Sequence, residues 1–270
     1  MLNEEAIEVV EPLLAQAASC LNFGPQVRFV GLHLTSPEQI FARLGRGASE
    51  LSESLVPKRR AEFVAGRHAA KLALAHFGCS SAVGRGASGA PKWPPGFCGS
   101  ISHGADLALA AVTPDWMYRG LGIDVERVVS SELADELARY VRRPEEDAVL
   151  SRALPALSAG QRLSLIFSAK ESLFKAVHPL SGEFFGFAQA RVVCASFQSS
   201  HAGQIQLALE RELSGGFCAD QRFISKFALS GDRVETAVLV PGASSHAVSG
   251  LSERVSEQGF DGHESWHVTS

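Results

Sequence analysis

Gly122-Ile123-Asp124-Val125-Glu126 sets two acids two residues apart in an otherwise apolar run. Along a strand, side chains alternate between faces, so Asp124 and Glu126 would point to the same side of a sheet. Further along, Lys170-Glu171-Ser172-Leu173-Phe174-Lys175 sets an acid and a base four apart. Along a helix Glu171 and Lys175 would share a face. Three carboxylates and an ammonium can hold a divalent cation and steady a phosphate, and they are costly to bury for any other use. Leu121, Ile123 and Val125 make the first segment read as buried. Magnesium takes one or two carboxylates, waters and substrate phosphate oxygens. Asp124, Glu126 and Glu171 are therefore the candidate metal-side acids. The bland readings are a solvated strand edge for the first pair and, for Glu171 and Lys175, an exposed ion pair worth about 0.3–0.5 kcal/mol.

Around the second segment, the periodicity predicts a long helix from an N-cap at Ser158 to His178, with Leu163, Ile166, Phe167, Leu173, Phe174 and Val177 on its apolar arc. Lys170 falls within that arc. There it either snorkels or meets a buried anion, and a cleft floor facing phosphates would explain it. Residues 131–154 read as helical, with Pro144 starting a second piece, and residues 191–197, 204–209, 223–229 and 236–240 read as strands of an antiparallel sheet.

Toward the N-terminus, residues 107–112 and 121–126 read as two strands paired in a hairpin, with Ser102 and His103 in the loop ahead of them. Pro57 opens a helix through about Phe77, stopped by Gly78, and places Arg60, Arg67 and Lys71 beside an apolar stripe. Residues 4–21 read as a helix, 27–32 as a strand, and 35–56 as a surface wrap. Residues 80–99 form a long Gly-, Ser- and Pro-rich loop of the kind that is often functional. From about Gly242 little can be buried, and a disordered tail is expected over 243–270.

With 270 residues, a 46% apolar fraction and a net charge of -4, the chain can bury a large core and exerts no global pull on nucleic acid or anionic membrane. Cys20, Cys79, Cys98, Cys194 and Cys218 are odd in number, with no CxxC and no zinc-finger spacing. They read as reduced structural thiols of a cytoplasmic protein. Met1-Leu2-Asn3-Glu4-Glu5 carries acids where a signal peptide would carry lysines, and no apolar run is long enough to cross a bilayer.

Five segments in order carry a specific resemblance: Lys58-Arg59-Arg60-Ala61-Glu62-Phe63-Val64-Ala65-Gly66-Arg67, Pro91-Lys92-Trp93-Pro94, Gly99-Ser100-Ile101-Ser102-His103, Gly122 to Glu126, and Phe167 to Ala176. Over about residues 55–190 the chain resembles the 4'-phosphopantetheinyl transferases, within them the group that loads siderophore and other nonribosomal peptide synthetases, like enterobactin synthase component D. The resemblance implies an α/β (α+β) fold of two pseudo-symmetric halves, 1–127 and 128–242, with coenzyme A in the cleft between them. It implies a monomeric enzyme that needs magnesium and moves the phosphopantetheine arm of coenzyme A onto a serine of an acyl or peptidyl carrier protein. By resemblance, Asp124, Glu126 and Glu171 would hold the metal, Glu171 would take the serine proton, and Lys175 would contact the phosphates. Arg59, Arg67 and His103 would hold the 3'-phosphate and pyrophosphate region, with help from Ser102. Ser88, Gly89, Ala90 and Pro91 would lie against the adenine, and Phe185 would border the pantetheine channel.

This chain departs from the family at Ser88, where relatives often place a lysine or arginine, so a contact is either missing or supplied by Lys92. Helical spacing alone would choose Arg60 to accompany Arg67. The family's spacing favours Arg59, on the expectation that Arg59 precedes the regular helix. Two other readings use the same residues: a metal-dependent hydrolase of the coenzyme A diphosphate, and a non-catalytic coenzyme A-binding module.

Overall fold

The computed structural model describes residues 21, 23–44, 56–86 and 89–242. The helix expected over 4–21 and the tail expected over 243–270 lie outside them, save for Leu21. In chain order the elements are β1 (Arg28–His33), α1 (Pro37–Leu44), α2 (Pro57–Ala75), β2 (Gly84–Arg85), β3 (Pro91–Lys92), β4 (Phe97–Gly104), β5 (Leu107–Pro114) and β6 (Tyr118–Arg127). Then follow α3 (Ser131–Val141), α4 (Pro144–Ala153), α5 (Ala159–Ser181), a short 3-10 turn (Phe187–Gln189), β7 (Ala190–Phe197), β8 (Ala202–Leu209), β9 (Arg222–Ser230) and β10 (Arg233–Pro241). Within the expected surface wrap the chain forms α1, and the expected loop over 80–99 contains β2, β3 and the start of β4.

Two antiparallel sheets carry the fold, one ordered β1-β5-β4 and the other β6-β10-β9-β8-β7. The hairpin expected between β5 and β6 does not form. β5 pairs with β1 and β4, whereas β6 pairs with the last strand, β10. The reason is burial. Seven of the eight β5 residues are buried, so the strand sits in the middle of its sheet, and the turn at 115–117 delivers β6 to a second sheet. The chain therefore passes from the first sheet to the second between Pro114 and Tyr118.

Each sheet is covered by one long helix. On the first lies α2, started by Pro57 at the position where its fixed φ suits a helix. Its buried side carries Ala61, Ala65, Ala69 and Ala73, small residues that allow close approach to the sheet. On the second lies α5, which opens with a capping box in which Ser158 Oγ accepts from Gln161 N at 3.2 Å. It ends at Gly182 in the left-handed region, φ 68. At Gly122 a Cβ would stand 1.9 Å from the Ser172 carbonyl oxygen, so only glycine lets α5 lie this close to β6. Hydroxyls complete the contact: Ser172 Oγ lies 2.6 Å from Thr236 Oγ1, and Thr236 Oγ1 donates to Ser168 O at 2.8 Å.

Lys170 does not face a cleft. Its ammonium is buried between helices and pairs with Glu146 of α4 at 2.8 Å, also donating to Val141 O and Phe187 O at 3.1 Å each. Glu146 in turn accepts from Arg143 N at 2.7 Å and Val192 N at 2.8 Å. The buried anion is thus a carboxylate of the protein itself, because Lys170 projects from the side of α5 that packs on α3 and α4. Burial lowers the Lys170 pKa, and Glu146 opposes that shift. Replacing Lys170→Met would leave Glu146 buried without a cation. Urea unfolding should show a loss of about 3–5 kcal/mol. A loss under about 1 kcal/mol, the scale of a solvated pair, would contradict this account.

Candidate active site

The two sheets meet where β4 runs beside β6, and side chains bond across that seam in place of a backbone ladder. Ser100 Oγ accepts from Ile123 N at 3.1 Å, and Ser102 Oγ donates to Asp124 Oδ1 at 2.9 Å. Asp124 and Glu126 leave β6 on the same side, as their spacing predicts, and Asp124 stands opposite Thr236 on the face that α5 covers. From α5, Lys175 Nζ reaches Asp124 Oδ1 at 2.6 Å, Ser102 Oγ at 3.0 Å and Ile123 O at 3.1 Å. One ammonium therefore gathers β4, β6 and α5 at one point. His103, expected in a loop, lies on β4.

Electrostatics single out the same point. Burial raises the pKa of Glu126 to about 7, reinforced by the charges of Asp124 and Glu171 and opposed by Lys175. Burial also raises the Glu171 pKa, with Lys175 lowering it and Asp124 raising it. The three acids thus repel one another where one lysine answers them. Asp124 is 2% exposed, and its Oδ2 is buried with no hydrogen-bond partner among the described residues. Among the described residues no three His, Cys, Asp or Glu side chains already converge as a metal cage. An orphaned carboxylate oxygen beside mutually repelling acids still fits a hard cation that completes its shell with water and phosphate oxygens.

A basic rim adjoins this point on the α2 side. Glu62, which sequence reasoning passed over as a site residue, is 8% exposed and accepts from Arg59 Nη1 at 3.2 Å. His103 Nδ1 lies 3.6 Å from the same carboxylate. Arg59 sits inside α2, not ahead of it as expected. Nevertheless it is Arg59 that shares Glu62 with His103, while Arg60 lies over the Phe41 ring. The Arg59–Glu62 spacing of three was the available signal for Glu62. Burial lowers the His103 pKa; Glu62 raises it, and Arg59 and Lys175 lower it.

The remaining expected site residues are more dispersed. Arg67 Nη1 donates to Val83 O at 3.0 Å and to Gly84 O at 2.5 Å, which ties α2 to the β2–β3 ribbon. Gly89, Ala90 and Pro91 form the returning side of that ribbon, and Ser88 lies outside the described residues. Phe185 is 3% exposed and packs on Phe174 inside the core of the second sheet, whereas its neighbour Phe184 is 76% exposed. Burial of Phe185 leaves Phe184 as the ring at the surface.

Comparison with known proteins matches the 4'-phosphopantetheinyl transferase N-terminal domain to residues 48–113 and the 4'-phosphopantetheinyl transferase superfamily to residues 120–230. The gap between the matches coincides with the turn between β5 and β6. The chain belongs to the 4'-phosphopantetheinyl transferase superfamily. It is similar to 4'-phosphopantetheinyl transferase Npt of Nocardia iowensis, 38% identical over 138 residues that cover 51% of this chain and 60% of the relative. It is similar to enterobactin synthase component D of Salmonella typhimurium, 42% identical over 119 residues, 44% of this chain and 48% of the relative. It is also similar to 4'-phosphopantetheinyl transferase PptT of Mycobacterium tuberculosis, 34% identical over 149 residues, 55% of this chain and 63% of the relative. The chain thus matches about half to three fifths of the length of these superfamily members. No helix among the described residues is long and apolar enough to cross a membrane.

Because the Glu62 charge holds the His103 pKa up against burial, Glu62→Gln should move the His103 titration midpoint to lower pH. NMR titration of the His103 ring checks this; an unchanged or higher midpoint would show that the two groups do not interact.

Proposed function

We propose that this chain is a 4'-phosphopantetheinyl transferase. It moves the phosphopantetheine arm of coenzyme A to a serine of an acyl or peptidyl carrier protein and releases adenosine 3',5'-bisphosphate. The observation that carries this reading is the convergence of Ser102, Asp124 and Lys175 at the seam of the two sheets, with Glu126 and Glu171 within electrostatic reach.

The chemistry follows from what each group can do. Phosphoryl transfer needs little covalent help, and catalysis is mainly positioning and charge neutralisation. The carrier serine oxygen attacks the phosphorus bearing pantetheine, and the bond from that phosphorus to the bridging oxygen breaks. The bisphosphate leaves with that oxygen. Glu171 takes the serine proton, directly or through a water; its raised pKa brings it closer to working pH. Lys175 is 27% exposed at its side chain, so its ammonium can serve the diphosphate as well as Asp124. Asp124, Glu126 and Glu171 would hold magnesium, which when bound supplies charge neutralisation at the diphosphate. Arg59, Arg67 and His103 bind the phosphates of the nucleotide end, with Ser102 holding Asp124 and Lys175 in place. Gly89 to Pro91 line the adenine. Phe185 would act on the pantetheine arm only as backing for Phe174 and the exposed Phe184.

Likeness to enterobactin synthase component D favours carriers of nonribosomal peptide and siderophore assembly, with polyketide carriers as the related class. We take the protein to act as a cytoplasmic monomer. Intact-mass measurement of an apo carrier domain, after incubation with the protein, magnesium and coenzyme A, should show one added phosphopantetheine. Chelation should abolish the gain, and Glu171→Gln should slow it by about 10²–10⁴-fold in a protein that stays folded. The same requirement for folded protein applies to Asp124→Ala, which should abolish transfer. Bisphosphate release without any carrier would point instead to a diphosphate hydrolase. Tight coenzyme A binding with no turnover would point to a silent binding module.

A further inference from the structure

Arg67 and Arg85 bring two positive charges to the β2–β3 ribbon, and neither meets a carboxylate within ion-pair distance among the described residues. Arg67 is fixed from both sides. Its guanidinium lies over the Phe63 ring, 5.1 Å from the centroid, and donates to the carbonyls of Val83 and Gly84. Those bonds satisfy donors but leave the charge unanswered. Gly84 is the residue before Arg85, so the bond to its carbonyl sets the second arginine beside the first.

Arg85 is placed by the turn that follows it. Gly86 N donates to Ala90 O at 2.8 Å, and Gly89 N donates to Gly86 O at 2.9 Å. Gly89 sits at φ 85, where a side chain would be strained. A Cβ there would also lie 3.1 Å from Arg85 Nη2 and 3.5 Å from Nε. Glycine thus serves the turn and leaves room for the guanidinium to lie against its backbone. Burial lowers the pKa of Arg67, and the neighbouring Arg85 lowers it further, the signature of like charges held together.

Of the two alternatives at position 88, a missing contact or one supplied by Lys92, the ribbon register disfavours Lys92. Arg85 pairs with Pro91 and Gly84 pairs with Lys92. Paired residues of an antiparallel ribbon share a face, and successive residues alternate. Lys92 therefore projects from the face opposite Arg85. Arg67 and Arg85, near enough to repel and neither paired with a carboxylate among the described residues, offer a phosphate planar donors that match its geometry.

We infer that Arg85, together with Arg67, binds a phosphate of the nucleotide end of coenzyme A, and that Lys92 does not. This rests on the transferase reading above and adds to its phosphate-binding residues. Calorimetric titration of the full chain with coenzyme A and with adenosine 3',5'-bisphosphate tests it. Arg85→Gln should weaken both by about tenfold or more and flatten the salt dependence. Arg85→Lys should keep part of the affinity, and Lys92→Gln should stay within about twofold of wild type. Arg85 is exposed, so the thermal midpoint of Arg85→Gln should match wild type. Arg85→Gln binding like wild type, or Lys92→Gln weakening as much as Arg85→Gln, would overturn the assignment while the transferase reading stands. Wild-type protein that binds neither nucleotide would sink both.

Discussion

A carboxylate at the junction of two sheets is the constraint on which the site depends. Asp124 is almost wholly buried, and water cannot solvate it there. The fold answers with an ammonium from α5 and a hydroxyl from β4 on one oxygen. The other oxygen has no partner among the described residues. A pair of this kind adds little to stability against an apolar replacement, because desolvation consumes most of the Coulombic gain. Its value lies in bringing one polar group from each of three elements to a common point.

Much of the surrounding packing serves that placement. Glycine at 122 lets α5 settle on β6 closely enough for Lys175 to reach Asp124, and the Ser168, Ser172 and Thr236 hydroxyls hold the helix in register with β10. On the far side of α5, Lys170 is locked to Glu146, which sets the helix against α3, α4 and β7. Two lysines five residues apart on one helix thus have opposite fates. One is sealed into the core as a brace, and the other keeps its ammonium partly in solvent, where a phosphate can meet it.

Local patterns exposed the acids and the helices well. Period-two spacing put Asp124 and Glu126 on one face, and the four-residue spacing put Glu171 and Lys175 on another, both as found. The N-cap at Ser158 and the helix start at Pro57 were equally legible, since caps and proline act within a few residues. The β5–β6 hairpin was misread because a short turn between two apolar strands looks the same whether the strands pair or part. For Lys170 a buried anion was legible, but not that Glu146 rather than a bound phosphate supplies it, because an apolar arc does not say which neighbour fills the space opposite it.

The sequence by itself determined which residue types stand together along each strand and helix, and the order of its motifs identified the superfamily. That information is local, set by backbone periodicity and by residues that start or stop an element. Tertiary structure alone decided that Lys175, and not Lys170, answers Asp124, that Glu62 joins Arg59 to His103, and that Arg85 and Lys92 point to opposite faces. Those outcomes depend on strand partners and helix neighbours far away in the chain, and charge pairing depends on distances that no spacing along one element can supply.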